Sequence, residues 1–169
     1  MPAAAGAPNR GQPPGAWAGS GQREALAESP ALARVVAFFE GLQPADLDRM
    51  ATIYAPGACF KDPFNEVVGV EAVRGVFAHM FQSLHNPRFV VTRVLGQGSH
   101  AFLTWEFRFR FLRHSPQQEQ CILGATHLVL DEQGRIAVHR DYWDAAEELY
   151  EKLPVLGALM RWLKRRASQ

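Results

Sequence analysis

The hydrophobic pattern of this chain changes from a helical period to a period of two near residue 87. Before that point apolar residues recur at helical spacing, for example at Leu32, Val35 and Phe39. After it they alternate with polar residues, most clearly over 101–112. Helical spacing predicts amphipathic helices, and alternation predicts half-buried strands. Helices followed by a run of strands favour an α+β domain, with the helices packed on one face of an antiparallel sheet.

Capping and turn residues indicate where these elements begin and end. Ser29 followed by Pro30 is typical of a helix start, and Asn86-Pro87 predicts the end of the third helix. The predicted elements are helices from 30, from 44 and from 69 or 70, strands at 89–95, 101–112, 121–130 and 136–143, a short strand or extended turn at 58–64, and a C-terminal helix within 144–166.

Composition divides the chain into three parts. Residues 1–29 are rich in Ala, Gly and Pro, which predicts a disordered tail because such a segment buries too little surface to order itself. Residues 30–145 form the predicted folded domain, and 146–169 form a helical extension with a basic end. We expect the leucines of this amphipathic extension to pack on the domain or on a second subunit rather than on an anionic membrane surface.

Charge, cysteine content and hydropathy exclude several classes of protein. The chain has 18 basic and 17 acidic residues, so its charge of +1 gives no reason to predict a nucleic-acid partner. Its two cysteines, Cys59 and Cys121, are too few for a disulfide scaffold, and we expect a cytoplasmic protein. No apolar run reaches the ~18 residues that span a bilayer. The histidines lack metal-ligand spacing and no phosphate-binding loop occurs, so neither a metal nor a cofactor is predicted.

Asp62 is the first candidate catalytic residue. It lies between Phe60 and Phe64, and a carboxylate surrounded by aromatic side chains is partly desolvated, which makes it a better base. The alternative is structural: Asp62 caps the turn that Pro63 begins, because Asp-Pro is a common turn dipeptide.

A second candidate group lies on the last predicted strand. His139, Asp141 and Trp143 share one face of that strand, since side chains alternate between faces. Buried polar groups need partners, so a His and an Asp beside a Trp indicate either a site or a structural ion pair, with Arg93 or Arg74 as the partner of Asp141.

The strand at 101–112 has two chemically different faces. One face carries apolar residues, and the other carries a charged stripe that includes Glu106, Arg108 and Arg110. We expect this stripe to be solvated or to face a second subunit, which is the ordinary pattern for a half-buried strand.

Several motifs resemble those of one known superfamily. The run Tyr54–Phe64 (YAPGACFKDPF), followed by Gly69 and a helix, then DEQGRI at 131–136 and Tyr142-Trp143, resembles the ketosteroid isomerase and SnoaL-like superfamily. The resemblance covers about residues 30–145. It implies a nuclear-transport-factor-like cone fold, in which a strongly curved antiparallel sheet wraps around three helices and encloses a pocket.

The resemblance also implies roles for particular residues. Asp62 falls on the general base of the isomerases, while their two oxyanion-donor positions fall on Phe38 and Thr126. Phe38 cannot donate a hydrogen bond, and Thr126 is a weaker donor than a carboxylic acid. The last strand resembles that of limonene epoxide hydrolases, which casts Asp141 as the base that activates water.

The predicted function is binding of a small apolar carbonyl or ring compound, with cofactor-free proton transfer of the isomerase or cyclase type. In this prediction Asp62 takes the proton, and His139 or Tyr54 steadies the oxyanion. The predicted polar groups of the pocket are Asp62, Thr126, His139 and Asp141, and the predicted wall is Phe38, Tyr54, Phe77, Trp105, Phe107, Phe109 and Trp143.

Two alternatives and one partner complete the prediction. The first alternative function is that of a non-catalytic ligand-binding or protein-interaction domain. The second is that of an epoxide hydrolase-like enzyme in which Asp141 activates water. Fold alone does not decide among these functions. We expect a homodimer that forms through the sheet.

Overall fold

The computed structural model describes residues 29–112 and 117–145. The tail at 1–28 and the helical extension predicted within 146–169 therefore lie outside the described residues. The helical elements are helix α1 (Pro30–Glu40), a 3₁₀ helix (Pro44–Thr52) and helix α2 (Val70–Ser83). The strands are β1 (Tyr54–Lys61), β2 (Glu66–Val68), β3 (Leu84–Gln97), β4 (His100–Phe111), β5 (Gln120–Leu130) and β6 (Ile136–Tyr142).

Helix α1 begins as its capping residues predict. The Ser29 hydroxyl accepts a hydrogen bond from the backbone N–H of Leu32 at 3.3 Å, and Pro30 occupies the first helical position. Proline is suited to that position because the first helical N–H groups have no partner within the helix. The apolar face of α1, including Val35 and Phe39, is buried against the sheet.

The six strands form one mixed sheet in the order β2-β1-β6-β5-β4-β3. Strands β1 and β6 are parallel, whereas the other neighbours are antiparallel. The prediction of an α+β domain is confirmed, but the prediction of a wholly antiparallel sheet is wrong. Tight hairpins fix the direction of consecutive strands, whereas β1 and β6 are joined by the whole intervening chain and are free to run parallel.

The start of β3 also differs from the prediction. Helix α2 ends at Ser83, and β3 runs through Asn86-Pro87 instead of beginning after it. Asn86 has a φ of 51°, and the pairing of β3 with β4 shifts register between His85 and Arg88. Because β3 lies at the sheet edge, Pro87 removes no hydrogen bond that an interior ladder needs, and a bulge accommodates the pair.

The faces of β4 follow the predicted alternation with one exception. Leu103, Trp105 and Phe109 are buried on the inner face, which we define as the face that packs against the helices. On the outer face Glu106 is only 2% exposed, so the predicted solvation of the charged stripe is wrong for this residue. Arg108 donates two hydrogen bonds to one Glu106 carboxylate oxygen, at 2.6 and 2.9 Å, and this pairing satisfies part of the buried charge.

Within 29–112 and 117–145, none of the helices combines the length and the apolarity that crossing a bilayer requires.

Candidate functional site

A cavity of about 660 Å³ lies between α2 and the inner face of the sheet. Apolar and aromatic side chains form most of its wall, as is typical of small-molecule sites. The polar side chains on the wall are Asp62, Asn65, His79, Ser83 and Asp141. The apolar and small residues on the wall are Phe60, Phe64, Ala72, Gly75, Val76, Phe77, Met80, Leu84, Phe89, Trp105, Phe107, Phe109, Phe111, Ile122 and Trp143.

The parallel pairing of β1 with β6 explains why two distant segments meet at this cavity. Lys61 pairs with Arg140 at the carboxyl ends of the two strands. Asp62, which follows the end of β1, and Asp141, which follows Arg140 within β6, therefore occupy neighbouring positions of the two segments. Aromatic side chains from the two segments also meet, because the Phe64 and Trp143 rings contact edge to face with centroids 5.3 Å apart.

Both carboxylate oxygens of Asp62 are occupied by its own turn. Oδ1 accepts hydrogen bonds from the backbone N–H groups of Phe64 at 2.7 Å and Asn65 at 2.5 Å. The Asn65 side-chain amide donates to Oδ1 at 3.0 Å and to Oδ2 at 2.9 Å. This is the turn-capping role that the sequence offers as the alternative for Asp62.

Asp141 holds one oxygen in hydrogen bonds and leaves the other available. Its Oδ1 accepts from the Thr126 hydroxyl at 2.5 Å and pairs with His139 Nε2 at 2.9 Å. Its Oδ2 makes no hydrogen bond to residues 29–112 or 117–145. The predicted ion pair with Arg74 does not form, because Arg74 bonds to Asp48 at 3.0 Å instead.

The hydrogen-bond partners of His139 define its tautomer. The Tyr54 hydroxyl lies 2.7 Å from His139 Nδ1, and both side chains are buried. Burial raises the pKa of Tyr54 well above its usual range, and the negative charge of Asp141 raises this pKa further, so the phenol keeps its proton. A carboxylate only accepts, so we assign the proton of His139 Nε2 to the hydrogen bond with Asp141, and we assign Nδ1 as the acceptor of the Tyr54 hydroxyl.

A second chain of donors reaches Asp141 from the other side. The Trp105 indole N–H donates to the Thr126 hydroxyl oxygen at 2.7 Å, and Thr126 in turn donates to Asp141. Asp141 Oδ1 is thus the point at which two chains of hydrogen bonds converge, one from Tyr54 through His139 and one from Trp105 through Thr126.

A small cavity of about 30 Å³ adjoins this network behind the large one. Its polar lining consists of Thr126, His139 and Asp141. Four residues line both cavities: Phe77, Phe89, Trp105 and Asp141.

The described residues contain no group of three or more His, Cys, Asp and Glu side chains arranged to hold a metal ion.

Residues 35–139, more than half of the 169-residue chain, match the family model of the SnoaL-like domain. The chain belongs to the SnoaL-like domain family. This match confirms the family resemblance that the motifs at 54–64 and 131–136 indicate. The curated proteins contain no significant match to this SnoaL-like domain.

Solved structures share the fold at low sequence identity. A Catenulispora acidiphila protein of ketosteroid isomerase-like fold, solved with trimethylamine, has a TM-score of 0.60 and 17% identity, covering 70% of this chain and 88% of its own. An M. tuberculosis LEH-like epoxide hydrolase has a TM-score of 0.59 and 18% identity, covering 72% and 88%. A proposed SnoaL-like polyketide cyclase from Shewanella putrefaciens has the same TM-score and identity, covering 72% and 96%. At these identities the likeness establishes the fold.

The structure of this SnoaL-like domain brings most of the predicted site residues to the two cavities. The predicted residues on the large cavity are Asp62, Phe77, Trp105, Phe107, Phe109, Asp141 and Trp143. Thr126 and His139 line the small cavity. Tyr54 lies on neither wall, because it is buried beneath His139.

Phe38 is not among the residues that line either cavity, and its predicted contact with a ligand stays a prediction. Its ring packs edge-on against Phe39, with centroids 5.6 Å apart. Phe39 belongs to the buried core, and Phe38 is partly buried against it.

The prediction names one residue of α2, Phe77, but this helix supplies a larger part of the wall. Its cavity-lining residues recur at helical spacing, as Ala72, Val76, His79 and Ser83 do. This spacing is visible in the sequence, but helical spacing alone does not distinguish a face that lines a cavity from a face that is solvated.

Proposed function

We propose that this SnoaL-like domain binds a small, mostly apolar carbonyl or ring compound and transfers a proton on it, with Asp141 as the base. One observation carries the proposal. Asp141 lines the large cavity with its Oδ1 held by two donors, while Oδ2 makes no hydrogen bond to any described residue. A base must present a lone pair to the proton that it abstracts, and Oδ2 meets this requirement.

The cavity supports a substrate of this class. Its volume of about 660 Å³ falls within the range of ordinary ligand pockets, and its wall is dominated by aromatic rings. On the α2 wall His79 and Ser83 carry polar atoms, which lie 3.3 Å apart. We assign to these two side chains the hydrogen bonds to the oxygen of the ligand.

The proposed step balances without any further reactant. Asp141 Oδ2 takes a proton from the carbon next to the carbonyl group. The C–H electron pair becomes the new C=C bond, and the carbonyl π pair moves onto oxygen to give an enolate. The proton then returns from Asp141 to a carbon of the same conjugated system. Thr126 and His139 stabilise the carboxylate through Oδ1 and hold its orientation.

This proposal moves the role of base from Asp62 to Asp141. Asp62 also lines the cavity, but both of its oxygens accept hydrogen bonds from residues 64 and 65. The proposal also no longer assigns the role of oxyanion donor to His139 or Tyr54, as the sequence-based prediction does. Tyr54 donates to His139 and His139 donates to Asp141, so neither has a proton to offer the ligand.

Hydrogen–deuterium exchange on a simple ring ketone tests the proposal. The probe is 2-tetralone in D₂O, and proton NMR follows the loss of its α-protons beyond the rate in buffer. We expect the wild-type protein to accelerate exchange and Asp141→Asn to lose that acceleration. Asp48→Asn is the matched control, because Asp48 is exposed and pairs with Arg74 away from the cavity. Acceleration that survives in Asp141→Asn would refute the assigned base.

A second candidate function is hydrolysis, and the small cavity is the observation that favours it. A volume of about 30 Å³ accommodates a water molecule, and Thr126, His139 and Asp141 provide the polar partners that such a water needs. Asp141 would take a proton from this water while the oxygen attacks an epoxide carbon. The C–O bond breaks onto oxygen, which then receives the proton from Asp141 to complete a diol.

Styrene oxide in ¹⁸O-labelled water distinguishes the two reactions. Hydrolysis would be the function, in place of proton transfer, if labelled diol forms only when Asp141 is intact and 2-tetralone shows no exchange. If neither reaction occurs while 2-tetralone raises the melting temperature, the remaining function is non-catalytic ligand binding.

We also propose that a second copy of this chain docks on the outer face of the sheet. Leu95 of β3 pairs with Phe102 of β4 on this face, and Leu123 lies on the same face of β5. Leu95 is 69%, Phe102 is 51% and Leu123 is 58% exposed, so three neighbouring strands present large apolar side chains to solvent on this face, as interaction surfaces do. Light scattering after size-exclusion chromatography should give a dimer mass for the wild type and a monomer mass for Leu123→Lys. A monomeric wild type would refute the dimer.

A further inference from the structure

Trp105 occupies a space that only glycine leaves on the neighbouring strand. Trp105 of β4 pairs directly with Gly124 of β5. A Cβ atom at position 124 would lie 2.2, 2.4 and 2.7 Å from three atoms of the indole ring. Such distances are far below a van der Waals contact, so any other residue at 124 has to displace the ring.

The position of the indole determines what Thr126 can do. A tryptophan N–H only donates, whereas a threonine hydroxyl both donates and accepts. Because Trp105 donates to Thr126 Oγ1 at 2.7 Å, that oxygen is used as an acceptor on this side. The single hydroxyl proton is then directed to Asp141 Oδ1, which lies 2.5 Å away on the paired strand.

Tyr54 acts on His139 in the same manner from the opposite side. Its hydroxyl proton occupies His139 Nδ1 and so places the remaining ring proton on Nε2, toward Asp141. In each chain of hydrogen bonds the first donor, Tyr54 or Trp105, occupies the acceptor atom of the next side chain. The proton of that next side chain is then directed to Asp141. The indole is also held from β3, where the Phe89 ring meets it edge-on at 5.9 Å.

We propose that Gly124 and Trp105 are positioning residues for Asp141. Gly124 leaves room for the indole, the indole orients the Thr126 hydroxyl, and this hydroxyl holds Oδ1 so that Oδ2 faces the cavity. The assignment of a catalytic purpose rests on the proposed function, in which Asp141 is the base, whereas the positioning itself is a property of the folded chain.

The indole N–H resonance of Trp105 tests the positioning directly. In ¹⁵N-labelled protein this resonance is the one that Trp105→Phe removes. We expect it to exchange slowly with solvent in the wild type and in Gly57→Ala, a control in which the added Cβ meets no atom within 4 Å. In Gly124→Ala and Thr126→Val it should move and exchange at least tenfold faster, because the hydrogen bond to Thr126 is lost. Thr126→Ser keeps a hydroxyl and should keep slow exchange.

An unchanged, slowly exchanging indole resonance in Gly124→Ala or in Thr126→Val overturns the proposal. If Gly124→Ala does not fold, the variants Thr126→Val and Thr126→Ser still decide the test. The exchange assay with 2-tetralone then connects positioning to chemistry. Gly124→Ala and Thr126→Val should lose about ten- to a hundredfold in rate, the effect of one hydrogen bond to a charged group, and Thr126→Ser should restore most of it. A wild type that shows the protected indole but no exchange on 2-tetralone would refute the proposed function and leave the positioning intact.

Discussion

Asp62 and Asp141 line the same cavity, but they use their oxygens in opposite ways. Asp62 is bonded to its own turn, with two backbone N–H groups and the Asn65 amide directed at its carboxylate. Asp141 is bonded to His139 of its own strand and to Thr126 of β5, and all of its hydrogen bonds to described residues reach one oxygen. Two carboxylates on one cavity thus differ in whether an oxygen stays free of hydrogen bonds to the described residues.

The difference follows from the backbone around each residue. Asp62 begins a turn whose free N–H groups lie within reach two and three residues later, so local geometry satisfies it. Asp141 lies on a strand whose N–H groups are directed at neighbouring strands. Its carboxylate therefore depends on side chains from β5 and β6. Such side chains can hold a carboxylate without covering it.

Among the variants that test the difference between Asp62 and Asp141, Asp141→Asn is expected to have the largest effect. The amide has the same shape, and its oxygen can still accept from Thr126 and His139, so the fold should remain. The variant loses the proton acceptor, and exchange on 2-tetralone should fall by about 10²–10⁴-fold, the usual contribution of a general base. Initial rates by NMR at equal concentrations of folded protein provide the measurement. A rate near that of the wild type would remove the distinction between the two carboxylates.

Tyr54→Phe is expected to have the next largest effect, because it acts on the chain that supports Asp141. It leaves His139 Nδ1 without its buried donor, which should lower the free energy of unfolding by about 1–2 kcal/mol. The His139 tautomer is then no longer fixed, so the exchange rate should also fall, by about tenfold. Urea unfolding and the 2-tetralone assay measure the two effects. A variant as stable and as active as the wild type would show that Tyr54 does not support Asp141.

Tyr54 also makes the free energy of unfolding depend on pH in the alkaline range. The unfolded phenol has a pKa near 10.0, whereas burial raises the pKa of Tyr54 in the folded protein. Below the unfolded value both states keep the proton, and the stabilisation is fully present. Above it the unfolded chain releases a proton that the folded chain retains, so stability falls by up to about 1.4 kcal/mol per pH unit. The wild type should therefore lose stability as the pH rises above about 10, and Tyr54→Phe should lack this contribution.

Asp62→Ala is expected to have a smaller effect of a different kind. It removes the acceptor for the turn at 62–65, and loss of one such cap typically costs about 1 kcal/mol. The melting temperature should therefore fall, while the exchange rate per folded molecule stays within about threefold of the wild type. Calorimetry and the 2-tetralone assay on the same samples provide both numbers. A loss of rate as large as that of Asp141→Asn, without loss of stability, would return the role of base to Asp62.

The sequence predicts the fold to the extent that local patterns determine it. Alternation in β4 places Leu103, Trp105 and Phe109 on the inner face, and Ser29-Pro30 marks the start of α1. The parallel pairing of β1 with β6 has no local pattern, because the two strands are far apart in the sequence. Alternation alone predicts that Glu106 is solvated, whereas it is 2% exposed and paired with Arg108.

The candidate site was predictable in part for the same reason. The shared face of His139 and Asp141 follows from strand periodicity, and the turn role of Asp62 follows from its Asp-Pro dipeptide. The hydrogen bond between Tyr54 and His139 joins residues 85 positions apart, and the contact of Trp105 with Gly124 arises from strand register. Neither contact leaves a local pattern in the sequence.

The smallest expected effect comes from Asp62→Asn, which matches Asp141→Asn in chemistry. An asparagine side-chain oxygen can accept the same two backbone hydrogen bonds at 62 that the carboxylate accepts. The negative charge is lost, but the turn keeps its acceptor, so the melting temperature should change less than in Asp62→Ala. The exchange rate should stay near that of the wild type, because no proton leaves the substrate for this residue. The same Asp-to-Asn change would then abolish catalysis when it is made at 141 and leave catalysis intact when it is made at 62, although both residues line one cavity. Equal losses at both positions would instead mean that the charge of the cavity, rather than one oriented oxygen, drives the reaction.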